Sequence, residues 1–331
     1  MNRIAVAFVH GVEIDDPDFA ARPSELLRDT FADAAGMSRV DADNALVVEP
    51  VAWAPHIEER QRELFARMYS AAGARSFFDE RLQGIVRRLN AGRATALIPM
   101  ALSLVRRTLP ELPGLRYPAA RWLMLHFTGD IIAYDRKLNE TNYVAAHEAL
   151  AAALARLADK AGDGAPLCVL AHSFGGVLVS DYLYDQQETL RGHKLVPDRV
   201  RAAMGTSALA RGETLAWLYT MGSPLALWSL RYPDARLDRP IDFPGADVAG
   251  RVTGLQSEWV NFYDPDDVIA YPLRPLGPAY ERQVTMDRPM TVRGWRPVYG
   301  TPLVHPFYWT DRKVMEAVGR SLAKGWRHLN P

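Results

Sequence analysis

The chain has 331 residues, 48% hydrophobic and 24% charged, which are ordinary globular proportions with enough apolar material for a sizeable core. Lys and Arg number 39, as do Asp and Glu, so the formal net charge is zero; nothing marks a nucleic-acid partner, which calls for a basic face or stripe. The single Cys168 excludes an intrachain disulfide and, set in an apolar run, reads as an inert core thiol.

Arg3 leads into Ile4-Ala5-Val6-Ala7-Phe8-Val9, a run too short for a secretory signal and without a cleavage site, so a cytoplasmic location is expected. The run reads instead as a buried strand that ends in His10-Gly11-Val12. Pro23 to Ala35 has helical spacing, with Ser24 as N-cap, Leu26, Leu27 and Phe31 as its apolar stripe and Gly36 as its stop. Ala45 to Trp53 reads as the next strand around Leu46-Val47-Val48. This β-α-β order points to a parallel sheet with helices on its faces.

From His56 to about His126 the rhythm changes. Ile57, Leu64, Phe65 and Met68 keep helical spacing, as do Phe78, Leu82, Ile85 and Leu89. The apolar run Ala94 to Val105 contains Pro99 and is too short to span a bilayer. Residues 56–109 hold ten Arg against five Asp or Glu, which reads first as solvated helix faces and second as attraction to an anionic substrate or membrane surface.

Phe127-Thr128-Gly129-Asp130 is expected to restart the core, and Asn142 to Lys160 reads as an Ala- and Leu-rich helix capped by Thr141 or Asn142. Then comes Leu167-Cys168-Val169-Leu170-Ala171-His172-Ser173-Phe174-Gly175-Gly176. An apolar strand meets a serine between small residues and passes at once into a helix, Gly176 to Leu190. A sharp strand-to-helix turn crowds the two backbones together, which is why small residues must flank the serine. Residues 191–213 are polar and Gly-punctuated, a surface excursion. Leu215 to Met221 is a further strand, ending in Gly222-Ser223-Pro224. Ser223 is a poor nucleophile candidate, because no comparable turn and helix follow it.

The Ala-x-Ser-x-Gly turn at Ser173 resembles the nucleophile elbow of the α/β-hydrolase family, in particular its esterase and lipase branch, with Ala171 in place of the usual first glycine. The His10-Gly11 strand ending and Thr220-Met221-Gly222-Ser223-Pro224 are similar to segments found in that order in lipase-like hydrolases. The resemblance implies a single α/β-hydrolase domain over 1–331, its core at 1–53 and 127–331. It would have a mainly parallel central sheet, helices on both faces and a helical cap or lid insertion at 54–126.

The resemblance also implies a site. A serine hydroxyl is a weak nucleophile until a histidine takes its proton, and that histidine needs a carboxylate to fix its tautomer. In the family these follow in the order Ser, acid, His. Trp259 to Tyr263 reads as a strand, and Asp264-Pro265-Asp266-Asp267-Val268 after it resembles the family's Asn-x-x-Asp-Pro-x-Asp-Pro loop. Matched residue by residue, the acid is Asp267, with Val268 in place of the proline. That substitution leaves Asp264 a rival. Of eight histidines, His305 and His328 follow the acid; His328 lies in the C-terminal tail, whereas His305 stands in a loop before a last helix, Asp311 to Lys324, and resembles the family's base. The backbone N–H groups of Val12 and Phe174 are the implied oxyanion donors.

No cofactor is expected, and no metal: no Cys pair, His-x-x-x-His or His-Glu-x-x-His appears, and Asp264, Asp266 and Asp267 lack the rest of a Ca²⁺ loop. The expected activity is hydrolysis of a carboxylic ester, with a hydrophobic acyl or alcohol part, through an acyl-serine. Acyl transfer by the same triad and ligand binding without turnover are the alternatives. The expected partner is a small-molecule or lipid-like ester, with transient membrane-surface contact through the cap.

Overall fold

Runs of apolar, β-branched residues that are buried on both faces are the mark of parallel strands covered by helices. Three such runs lie at the centre of this computed structural model: β1 (Ile4–Val9), β3 (Leu167–His172) and β4 (Leu215–Met221) are buried along their whole lengths. With β2 (Leu46–Val51), β5 (Glu258–Tyr263) and β6 (Met286–Pro289) they form one six-stranded sheet in the order β2-β1-β3-β4-β5-β6. Every neighbouring pair is parallel. The structure describes residues 2–11, 18–54, 129, 132–137, 139–293 and 302–331.

The chain divides into two units. The first, Met1–Gly11, Ala20–Trp53 and Val144–Pro331, carries the sheet. Of the second, Val12–Phe19 and Ala54–Tyr143, only 18–19, 54, 129, 132–137 and 139–143 are described. The expected cap over 54–126 therefore lies outside the described residues, Ala54 excepted, as do Val12, Phe127, Thr128 and Asp130.

Helices flank the sheet: α1 (Ala21–Ala35), α2 (Arg39–Ala45), α3 (Glu140–Ala161), α4 (Phe174–Leu190), α5 (Asp198–Met204), α6 (Pro278–Gln283) and α7 (Arg312–Leu329). α1 packs on α7, and Gly319 of α7 allows the approach, since a Cβ there would stand 2.6 Å from Thr30 Oγ1. Full burial of each large apolar side chain between these layers contributes about 1.5–3 kcal/mol. Trp217, Trp259, Phe8 and Phe31 are among the largest so buried.

The predicted strands β1, β3, β4 and β5 hold, β5 one residue longer, and the cationic stretch 56–109 lies outside the described residues. Several expectations are corrected. Ser24 is buried inside α1 and caps nothing; the helix begins at Ala21. Gly36 does end it, in the left-handed conformation at φ 71° with its N–H on the Ala32 carbonyl. Residue 45 closes a helix, α2, whose N-cap Ser38 accepts the Asp41 N–H, so β2 starts at Leu46. α3 starts at Glu140, and the Asn139 side chain accepts the Asn142 N–H in place of a Thr141 or Asn142 cap. The stretch 191–213 includes α5; α6 and the edge strand β6 lie between β5 and the last helix, where no element is expected from the sequence. The last helix runs on to Leu329, with Asp311 as its N-cap.

Candidate active site

The strand order reverses direction between β1 and β3: β2 lies on one side of that pair and β4, β5 and β6 on the other. In open parallel sheets such a switch point leaves a crevice beyond the carboxyl ends of the strands, where ligands bind. His10 and Gly11 leave β1 there, and Ser173 leaves β3.

Ser173 has φ 54° and ψ −129°, the one non-glycine residue with positive φ among the described residues. A side chain in that region costs about 1–3 kcal/mol and persists only where its surroundings enforce it. They do so here. Ser173 N–H donates to the Met221 carbonyl at 2.9 Å. Gly175 is pressed on the end of β1, where an added Cβ would lie 2.5 Å from the His10 carbonyl oxygen and 2.6 Å from that of Val9. Gly176 is pressed on Ser223, and Gly11 on Ser173 itself, with 2.6 Å between a hypothetical Cβ and Ser173 Cβ. The Gly-Gly pair after Phe174 thus lets the first turn of α4 sit against the ends of β1 and β4.

The structure brings His305 and Asp267 to this serine. His305 Nδ1 is 2.7 Å from Asp267 Oδ2, and His305 Nε2 is 2.8 Å from Ser173 Oγ. Because a carboxylate only accepts, Nδ1 carries the imidazole proton and Nε2 presents its lone pair to the serine O–H. Asp267 is buried and held by its backbone: its N–H donates to the Asp264 carbonyl, and Oδ1 accepts the Ile269 N–H at 3.2 Å. Burial pushes its carboxyl up. The charge and hydrogen bond of His305, with the Ile269 N–H, outweigh that and hold it below the ordinary value. Gly222, at φ 59°, makes room for it, since a Cβ there would stand 2.7 Å from the Tyr308 ring and 3.2 Å from Asp267 Oδ2.

Between the two rival carboxylates the geometry is unambiguous. Asp264 uses Oδ1 for the Asp266 N–H and Oδ2 for the Val292 N–H, at 2.9 and 2.7 Å, and its own N–H donates to the Tyr308 hydroxyl. It clips three segments together. Asp267 is the one on the imidazole.

No protein-family profile, curated protein or solved structure matches the chain.

Around the three residues stand groups with assigned partners. His10 is fully buried; its Nδ1 lies 2.5 Å from the Gly11 carbonyl, which makes Nδ1 the donor, while Nε2 accepts the Trp53 N–H at 3.2 Å. Burial, opposed by the Gly11 bond, lowers it from 6.5 to about 4, so it is neutral at pH 7. Its ring stacks on Trp53 at 5.5 Å, and Trp53 and Trp228 flank the Phe174 ring at 6.0 and 5.1 Å. Phe174 is the first residue of α4; its expected fellow donor, Val12, lies outside the described residues. Cys168 is buried, which pushes its thiol well above the ordinary value and keeps it protonated.

Three residues that touch the site have no role assigned from the sequence: Gly222, Tyr308 and His172. Tyr308 lies beside Asp267; burial and that charge and hydrogen bond push its hydroxyl up, so it stays protonated. His172 Nε2 is 2.8 Å from the His305 carbonyl oxygen. The Tyr-Trp pair after His305 was the nearest sequence signal for Tyr308; nothing in the sequence pairs residue 172 with 305. Among the described residues no group of three or more His, Cys, Asp or Glu could hold a metal ion, and no helix is long and apolar enough to cross a membrane.

Proposed function

We propose that the chain is a serine hydrolase of the α/β-hydrolase family, of the esterase or lipase type, cleaving a carboxylic ester through an acyl-serine. The observation that carries this reading is the unbroken run of hydrogen bonds from Asp267 through His305 to a serine on a strained strand-to-helix turn. The chain order supports it as well. The serine follows β3, the acid follows β5 and the histidine follows β6, as in the family.

In this reading Ser173 Oγ attacks the ester carbonyl while His305 Nε2 takes its proton. The buried Asp267 carboxylate keeps Nδ1 protonated and steadies the imidazolium. His305 then returns the proton to the leaving alcohol, and a water attacks the acyl-serine by the same route in reverse. The N–H groups of Phe174 and Val12 are the proposed oxyanion donors, each worth about 10²–10³ in turnover. A hydrophobic acyl or alcohol part is supported by the aromatic cluster that Trp53 and Trp228 form around Phe174, the residue after the serine.

Hydrolysis of a p-nitrophenyl ester series by the wild type and Ser173→Ala tests the reading. Loss of about 10³-fold or more in kcat for the variant is expected. A variant that turns over at the wild-type rate overturns it.

A further inference from the structure

The residue before the nucleophile has a second bond to the same histidine. Ser173 Oγ meets the His305 ring, and His172 Nε2 lies 2.8 Å from the His305 backbone carbonyl oxygen. A carbonyl only accepts, so His172 carries its proton on Nε2 and donates it. Its Nδ1 is then a bare lone pair, buried and without a hydrogen-bond partner. Buried polar atoms are rarely left so, and one beside a reactive site needs a reason.

We propose that His172 is a positioning residue of the reaction, whose Nε2–H anchors the His305 backbone and so holds the base within hydrogen-bonding distance of Ser173. This rests on the reading of Ser173 and His305 as nucleophile and base. His305 belongs to a 3₁₀ segment, Pro302–Thr310, not to a strand or long helix that would fix it by itself. Three bonds fix it instead: Asp267 on Nδ1, Ser173 on Nε2 and His172 on the carbonyl. Two of the three come from adjacent residues at the end of β3, so nucleophile and base are set from one rigid strand end. Positions held by packing and hydrogen bonds on a strand are more precise than positions held by a loop.

The unpartnered Nδ1 has a reason in this arrangement. The His172 ring packs on the His305 ring at 4.8 Å, on Trp309 at 5.5 Å and on Tyr308 at 5.8 Å. A second proton would have to enter on Nδ1, buried among these rings and against the charge that His305 acquires during turnover. Burial and then His305 disfavour it, with a smaller opposition from His10; the His305 carbonyl bond and Asp267 only partly offset them. His172 is therefore a donor that stays neutral. An Arg or Lys donor at this place would bring a positive charge against the imidazolium.

The test compares wild type, His172→Phe and His172→Gln with p-nitrophenyl acetate as probe. Phe keeps a ring against Tyr308 and Trp309 but cannot donate, whereas Gln restores a neutral donor at similar reach. The expected result is a kcat loss of about 10–10² for His172→Phe, the size of a displacement of about 1 Å, with KM little changed. His172→Gln is expected to recover most of that loss. A merely structural histidine would lower the unfolding midpoint and leave kcat per folded molecule alone. Wild-type kcat in folded His172→Phe overturns the proposal, and so does a Gln variant as slow as Phe. If His172→Phe does not fold, His172→Asn, too short to reach the carbonyl, takes its place.

A wild type that does not hydrolyse the ester would count against the functional reading, and a second measurement then decides the positioning. The downfield proton NMR signal of the His305–Asp267 bond should be sharp in wild type and the Gln variant and broadened or absent in the non-donating one. Equal signals in all three overturn the inference.

Discussion

Ser173 Oγ and His305 Nε2 are 2.8 Å apart although 132 residues separate them in the chain. The contact joins the turn after β3 to a segment after β6, and the three parallel pairings from β3 to β6 bring the carboxyl ends of those strands to one side of the sheet. The electrostatics of the pair follow from Asp267, which is buried and ionised on the far side of the imidazole.

Asp267→Asn and Asp264→Asn should separate chemistry from support. Asn at 267 keeps the shape but favours the wrong imidazole tautomer, and kcat should fall by about 10³–10⁴. Asn at 264 weakens the bonds to Val292 and Asp266 and should cost about 1–3 kcal/mol of stability, with much smaller loss of turnover per folded molecule. Ester kinetics and urea unfolding of both variants check this; comparable kinetic losses would contradict it.

Stability should fall on acidification below pH 6.5. His10 and His172 are held neutral by burial, at about 4 and about 3, whereas in the unfolded chain each protonates near 6.5. Above 6.5 both states are neutral. Below it the unfolded chain binds protons that the native state refuses, and stability is lost progressively down to the native values. The sum is of the order of several kcal/mol. Asp267 adds a loss of the same sign at lower pH, below its ordinary value of 3.8 and through its depressed native one. Urea midpoints at pH 7.5, 5.5 and 4.5 should decline, and His10→Gln should flatten the slope. A flat profile contradicts the assignment of neutral buried histidines.

Much of this was legible in the chain. Five strands announce themselves, β1, β3 and β4 most clearly because a parallel strand buried on both faces has to be apolar throughout, as in Ile4–Val9 and Leu215–Met221. β6 does not, since Met286-Asp287-Arg288-Pro289 is a partly exposed edge strand with no apolar run to read. α2 escaped because Arg39-Val40-Asp41-Ala42-Asp43-Asn44-Ala45 is polar and mostly exposed. Ser24 misled because a serine before an apolar stripe is a common cap, and here α1 begins three residues earlier. The choice between Asp264 and Asp267 depends on which carboxylate the loop turns toward His305. The role of His172 depends on a carbonyl 133 residues away. Neither distance is written in local sequence.

Gly11→Ala should damage the site more than the fold. The new Cβ would lie 2.6 Å from Ser173 Cβ and 3.1 Å from its Oγ, so the Ser173 side chain must move. A displacement of about 1 Å lowers kcat by about 10²-fold, while overpacking costs about 1–3 kcal/mol. Ester kinetics beside thermal unfolding read both; unchanged kcat would mean that the loop after β1 yields instead.

Asp311→Ala should destabilise without touching the chemistry. Asp311 caps α7 through the Lys313 and Val314 N–H groups and ties in the Arg293 N–H. The expected cost is about 1–2 kcal/mol in urea unfolding, with Asp311→Asn restoring most of it. Equal stability of all three proteins would remove the cap from the account.

The most direct test of the account is intact mass after treatment with a fluorophosphonate, followed by peptide mapping. The account predicts one adduct, on Ser173, lost when His305 is replaced by Ala. Folded protein that takes no adduct, or takes it on another serine, contradicts it.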